Sequence, residues 1–88
     1  MAHVILFEHI NFHGAHKHIF ASESNLAAGD DSFFNDRTSS IVVLSGTWEF
    51  FRDINFVDFE ARLAQGLYPN VTTVGIANDS VSSVRRVS

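Results

Sequence analysis

Two hexapeptides, Asn35-Asp36-Arg37-Thr38-Ser39-Ser40 and Asn78-Asp79-Ser80-Val81-Ser82-Ser83, concentrate short oxygen-bearing side chains. With the carbonyls of a tight turn, Asn, Asp and Ser supply what a hard cation such as Ca²⁺ takes, six to eight oxygens at about 2.3–2.6 Å. Neither hexapeptide alone carries enough donors for a cage. Packed side by side, the two would complete each other by exchanging a carboxylate. A single such hexapeptide reads as a polar turn whose Asn or Asp caps its own backbone. Two in register favour cation binding.

Other constellations are poorer. His9, His13, His16 and His18 raise a transition-metal reading, and His16 and His18, two apart on a strand, share one face. No Cys and few carboxylates stand near them to complete a site, so they read as exposed polar positions of a hairpin. All five His lie within the first 18 residues, and neither a nucleophile elbow nor a phosphate loop occurs. The pair Asp30-Asp31 reads as a solvated loop. The expectation is that the chain is not an enzyme.

These residues must be positioned by a small scaffold. The chain has 88 residues, a formal charge of −4 and a sequence pI near 5.6. Its basic residues are scattered, which argues against a nucleic-acid partner. Absence of Cys excludes disulfides and thiolate metal sites. The apolar run Val4 to Phe7 is too short for a secretory signal or a membrane span. The expectation is a soluble chain with no membrane partner, cytoplasmic in the absence of a visible signal, and monomeric with at most weak self-association.

Short β-branched or aromatic runs separated by Gly, Asn, Asp and Ser predict strands near 3–8, 16–21, 39–45, 47–52, 57–63 and 82–87. Shorter paired pieces are expected at 32–34 and 74–77, and a turn at Ser45-Gly46. Neither 22–31 nor 64–73 has a convincing helical pattern, although Ser24 to Ala28 suits one turn. Most of the Phe residues are assigned to the core or to hairpin staples, with Phe33-Phe34 partly exposed.

The chain repeats itself. Residues 7–14, FEHINFHG, align with 51–58, FRDINFVD, at an offset of 44, and the two hexapeptides align at an offset of 43. Each half then runs strand, aromatic hairpin, strand, long connection, acidic turn, strand, the order of a Greek key. The expected architecture is all-β: residues 1–88 as a single domain, Greek keys at 1–45 and 46–88, eight strands in two sheets.

The aromatic-x4-Phe-x-Gly pattern of Phe7, Phe12 and Gly14, followed by NDRTSS and then NDSVSS in the second half, resembles the βγ-crystallins over nearly the whole chain. The resemblance is to single-domain microbial and invertebrate members that bind calcium. It implies two Ca²⁺ per chain. One site would take the Ser39 hydroxyl, the Arg37 and Glu8 carbonyls and the Asp79 carboxylate. The other would take the Ser82 hydroxyl, the Ser80 and Arg52 carbonyls and the Asp36 carboxylate, with waters completing both shells. Ser40 and Ser83 are read as structural, stitching hairpin to sheet.

Three departures from the pattern carry expectations. Asp58 stands where the second hairpin should have Gly, at a position that needs φ > 0, so that hairpin is expected to be looser or reshaped. Thr38 fills a slot that is usually apolar, as Val81 is, so the first turn is expected to pack less well. Arg86 falls where Val43 lies in the first half, so the last strand is expected to fray or bulge. The functional expectation is a non-catalytic calcium-binding protein in which calcium stabilises the fold, with a stress, structural or buffering role. The alternative is a protein- or glycan-interaction or inhibitor module in which calcium is only structural.

Overall fold

The computed structural model describes residues 2–26, 38–77 and 81–87. Seven strands form among them: β1 (His3–His9), β2 (His13–Ile19), β3 (Ser40–Ser45), β4 (Trp48–Asp53), β5 (Val57–Leu63), β6 (Gly66–Tyr68) and β7 (Ser83–Arg86). They make a four-stranded sheet of order β2-β1-β3-β6 and a three-stranded sheet of order β5-β4-β7, all pairings antiparallel. This is the two-sheet Greek-key sandwich.

The halves exchange segments. β6, from the second half, pairs with β3 in the first-half sheet through Ile41↔Tyr68, Val42↔Leu67 and Val43↔Gly66. In return, Glu23 forms an isolated bridge with Val84 of β7. The hairpins are tied across in the same way: Asn11 N–H donates to Pro69 O and Asn55 N–H to Ser24 O, both at 2.8 Å.

Alternation along the strands sends Val4 and Leu6, Ile41 and Val43, and Trp48 and Phe50 into the shared core. Val81 and Val84 join them, with Leu26, Val71 and Ile76 from the connections. The buried Trp48 indole donates to Ser45 O at 3.1 Å, so its N–H is satisfied. The core is mostly aliphatic. Phe50 and Phe51 are buried and Phe7, Phe12 and Phe56 staple the hairpins, as expected for most of the Phe residues, while Phe20 and Phe59 are exposed. Phe33 and Phe34 lie outside the described residues.

Both hairpins make the same strained turn. Asn11 and Phe12 have φ of 58° and 62°, and Asn55 and Phe56 have 58° and 61°. Asn tolerates the left-handed region; Phe does so at a cost. Serines hold each Phe there. Ser40 Oγ accepts from Phe12 N–H at 3.1 Å and donates to His9 O at 2.6 Å. Ser83 Oγ does the same with Phe56 N–H and Asp53 O at 3.1 and 2.6 Å. Edge-on ring pairs, Phe7–Phe12 and Phe51–Phe56, staple each turn from the side, both with centroids 5.6 Å apart.

Several sequence expectations are corrected. Asp58 does take positive φ, 62°, yet the second hairpin is not reshaped: its angles repeat those of the first. β7 runs without a bulge through Trp48↔Arg86; Arg86 lies at the exposed end of the strand, where no core position demands an apolar side chain. In the equivalent first-half pairing, β1 with β3, a register shift does fall between His3 and Val4. β2 begins at His13, since Gly14 at φ 82° lets pairing continue to the turn, and it ends at Ile19. Residues 74–77 are not a strand. A 3-10 turn spans Val71–Val74, capped by the Asn70 side chain accepting from Thr72 N–H and closed by Gly75 at φ 89°. The 32–34 piece and Asp30-Asp31 lie outside the described residues, as does part of the Ser24 to Ala28 turn.

Candidate functional site

The two serines proposed as ligands occupy matching places at one end of the sandwich. Ser39 N–H donates to Phe7 O and Ser82 N–H to Phe51 O, both at 2.9 Å. Those carbonyls immediately precede Glu8 and Arg52 in the chain, so each serine stands beside the peptide assigned to it by sequence. The serine carbonyls are engaged by the opposite half: Ser39 O accepts from Val71 N–H at 3.0 Å and Ser82 O from Leu26 N–H at 2.9 Å. Both residues are 5% exposed. Backbone bonds on both sides therefore fix where each hydroxyl originates.

Of the eight ligand candidates, Glu8, Ser39, Arg52 and Ser82 are described, and the structure brings them together as two pairs, Ser39 with Glu8 and Ser82 with Arg52. Asp36, Arg37, Asp79 and Ser80 lie outside the described residues.

The side chains beside the two pairs differ in charge. Glu8 Oε1 lies 3.5 Å from His9 Nε2. Arg52 Nη2 lies 3.9 Å from Glu60 Oε2. The Glu60 side chain is almost buried, and its Oε2 also accepts from Ala77 N–H at 3.1 Å, directly before the second hexapeptide. Sequence reasoning missed Glu60, because its relevance depends on β5 lying against the 71–77 connection.

Thr38 and Val81 underlie the hexapeptides, both with no exposed surface. Thr38 Oγ1 has no hydrogen-bond partner among the described residues.

The histidines do not gather as a cage: among the described residues no three His, Asp or Glu converge on a metal position. His3, His16 and His18 do share the outer face of the four-stranded sheet. His16 lies against Phe7, with centroids 5.6 Å apart, and edge-on to His18 at 5.0 Å. His3, which the sequence reading left aside, lies next to His18. Partial burial and the neighbouring His18 both hold the His3 imidazole below its ordinary pKa.

On the three-stranded sheet Glu49 is buried between two arginines directly across from it, Arg62 on β5 and Arg85 on β7. Arg62 donates to Oε2 through Nε at 3.1 Å and Nη2 at 2.7 Å, and Arg85 donates to Oε1 through Nε at 3.0 Å and through Nη2. These hydrogen bonds hold the Glu49 carboxyl below the usual carboxylate range despite its burial. The Arg85 guanidinium also covers the Phe51 and Phe56 rings, at 5.4 and 5.9 Å.

Comparison with known proteins agrees with this geometry. A family model described as Beta/Gamma crystallin matches residues 3–87. A Beta/gamma-crystallin from Ciona intestinalis is 40% identical over 86 residues, 98% of this chain and 99% of its own. A solved structure of a beta gamma crystallin from Ciona intestinalis superposes with a TM-score of 0.89 at 39% identity, over 97% of this chain and 99% of that one. A transition-metal-ion-binding betagamma-crystallin from Methanosaeta thermophila gives 0.82 at 39% identity, over 96% and 99%.

Proposed function

The chain belongs to the beta/gamma-crystallin family, and from that premise we propose that it is a non-catalytic protein binding two calcium ions that stabilise its fold. The observation that carries the reading is the paired seating of Ser39 beside the Glu8 peptide and Ser82 beside the Arg52 peptide, through matching 2.9 Å backbone bonds. The donor chemistry fits a hard cation: a hydroxyl, two carbonyls and one carboxylate per site, with water completing the shell. One site takes Ser39, Arg37, Glu8 and Asp79; the other takes Ser82, Ser80, Arg52 and Asp36. The description of the Methanosaeta thermophila relative as transition-metal-ion-binding supports a metal on this fold, though of another kind.

Calcium bound to the folded chain alone would stabilise it by mass action. At 100-fold excess over Kd one site contributes about 2.7 kcal/mol. At roughly 4–8 °C per kcal/mol for a domain of this size, the melting temperature should rise by ten degrees or more. The test is isothermal titration of metal-free protein with calcium, followed by melting in EDTA and in millimolar calcium. Two ions per chain, micromolar or weaker, and a raised Tm are expected. Zero stoichiometry, or identical melting curves, overturns the reading.

A further inference from the structure

We propose that His3 and His18 form a two-imidazole site for a divalent transition-metal ion on the outer face of the four-stranded sheet. The site is separate from the calcium end. β1 spaces His3 from Glu8 by five residues, about 16 Å at the rise of a strand.

Register brings the pair together. β1 and β2 pair with Val4↔Ile19 and Ile5↔His18, so His3 and His18 are diagonal neighbours on one face. His3 Nε2 and His18 Nδ1 are 2.9 Å apart. Two imidazole nitrogens about 2.0–2.1 Å from one ion lie about 2.9 Å apart at a right angle and about 3.4 Å apart at the tetrahedral angle. The observed 2.9 Å is a hydrogen-bond spacing that already holds both nitrogens within reach of one ion, and imidazole donors suit Cu²⁺ and Ni²⁺.

The rings are held in place by their neighbours. Phe20 stacks on His3 with centroids 4.3 Å apart and planes 26° apart, and lies nearly parallel to His18 at 6.4 Å. This limits the ring freedom lost on binding. Without metal, one nitrogen of the pair donates to the other. Coordination needs both lone pairs, so the donating ring moves its proton to its other nitrogen, and no net proton is lost. Two neutral imidazoles form a soft-to-borderline donor set that calcium, an oxygen-seeking ion, does not favour. Water fills the remaining positions. His18 is exposed, so an ion reaches the pair from solvent.

The test is titration of the calcium-saturated full chain with nickel chloride, then copper chloride, by calorimetry. One ion per chain is expected, copper tighter than nickel. His3→Gln and His18→Gln should each weaken nickel at least about tenfold, as loss of an ordering partner alone costs 10–100-fold at metal sites. His16→Gln should leave binding in place; if it also weakens nickel, both proposed donors stand and His16 is a third. Histidine-ring NMR of the unaltered chain checks this without any variant. Sub-stoichiometric paramagnetic nickel should broaden His3 and His18 before His9 and His13. Absence of stoichiometric binding, full affinity in either the His3 or the His18 variant, or first broadening at His9 and His13 overturns the proposal.

Discussion

Thr38 and Val81 occupy corresponding, fully buried positions in the two halves, and Thr38 brings to its position a hydroxyl that meets no partner among the described residues. An unpaired buried hydroxyl costs about 1–3 kcal/mol. Thr38→Val copies the other half and should raise stability by about 1–2 kcal/mol, or roughly 4–8 °C in Tm per kcal/mol. Melting in EDTA checks it free of calcium; an unchanged or lower Tm would show that the hydroxyl is satisfied.

Ser40 and Ser83 each hold a phenylalanine at positive φ by accepting from its N–H. Ser40→Ala and Ser83→Ala should each cost about 1–3 kcal/mol, because the lost hydroxyl leaves a strained turn without its partner. Denaturant unfolding measures the cost, and amide exchange at Phe12 or Phe56 should accelerate only in the altered half. Equal acceleration in both hairpins would contradict local pinning.

The proposed crossed ligand sets make a double-mutant prediction. Asp36→Ala/Ser82→Ala should remove one calcium site and spare the other. Asp36→Ala/Ser39→Ala should damage both, and each Asp change should exceed its Ser counterpart, since it also removes charge attraction to a divalent ion. Calcium titration of the two double mutants separates the cases. One healthy site in Asp36→Ala/Ser39→Ala would mean that each hexapeptide works alone.

Glu8 and Arg52 put opposite charges beside equivalent carbonyl positions. The Ser39 site should therefore bind calcium more tightly than the Ser82 site, with Glu60 partly offsetting Arg52. Glu8→Gln should narrow the gap and Arg52→Gln should narrow it from the other side, each by a few-fold, and more at low salt. Two-site fits at low and moderate ionic strength test this; equal shifts of both sites in either variant would refute it.

Glu49 should contribute acid sensitivity. Its carboxyl is held low by Arg62 and Arg85, so it binds fewer protons folded than unfolded. The stabilisation is complete above the ordinary glutamate value of about 4.5 and is lost as pH falls through the lowered folded value. Glu49→Gln should destabilise near pH 7 by about 1.5–3 kcal/mol, the worth of hydrogen bonds to charged groups, and flatten the acid limb of stability against pH. Urea midpoints from pH 7 down to 3 measure both. An acid limb as steep in Glu49→Gln as in the unaltered chain would rule Glu49 out as its source.

Much of this architecture is legible in the residues. FEHINF and FRDINF announce two copies of one turn, and the Ser-Ser ends of the hexapeptides announce the hairpin pins, Ser40 and Ser83, beside the serines proposed as ligands. β5 falls on the predicted 57–63, since its alternation is local. What stayed hidden depends on partners far along the chain. Gly66-Leu67-Tyr68 is too short to declare itself and becomes a strand only because β3 offers an edge. His3 looks unremarkable until antiparallel register sets it beside His18. Glu49 draws no reading from the sequence, because its burial depends on two cross-strand arginines closing over it. The 74–77 piece misled because Asn70 and Thr73 offer the backbone bonds that compete with sheet pairing.

The exchange of β6 and Glu23 between the sheets makes the two copies mutually dependent. A chain severed after Ser45 would hold β1, β2 and β3 with the edge of β3 bare, and would have no β7 to receive Glu23. Neither fragment could finish its own sheet, but two copies of one fragment could finish each other's. An ancestral single-motif polypeptide built this way would have been obliged to pair with itself. Joining two copies in one chain replaces a concentration-dependent association with loop closure, after which the copies can diverge, as Thr38 from Val81 and Glu8 from Arg52 have done.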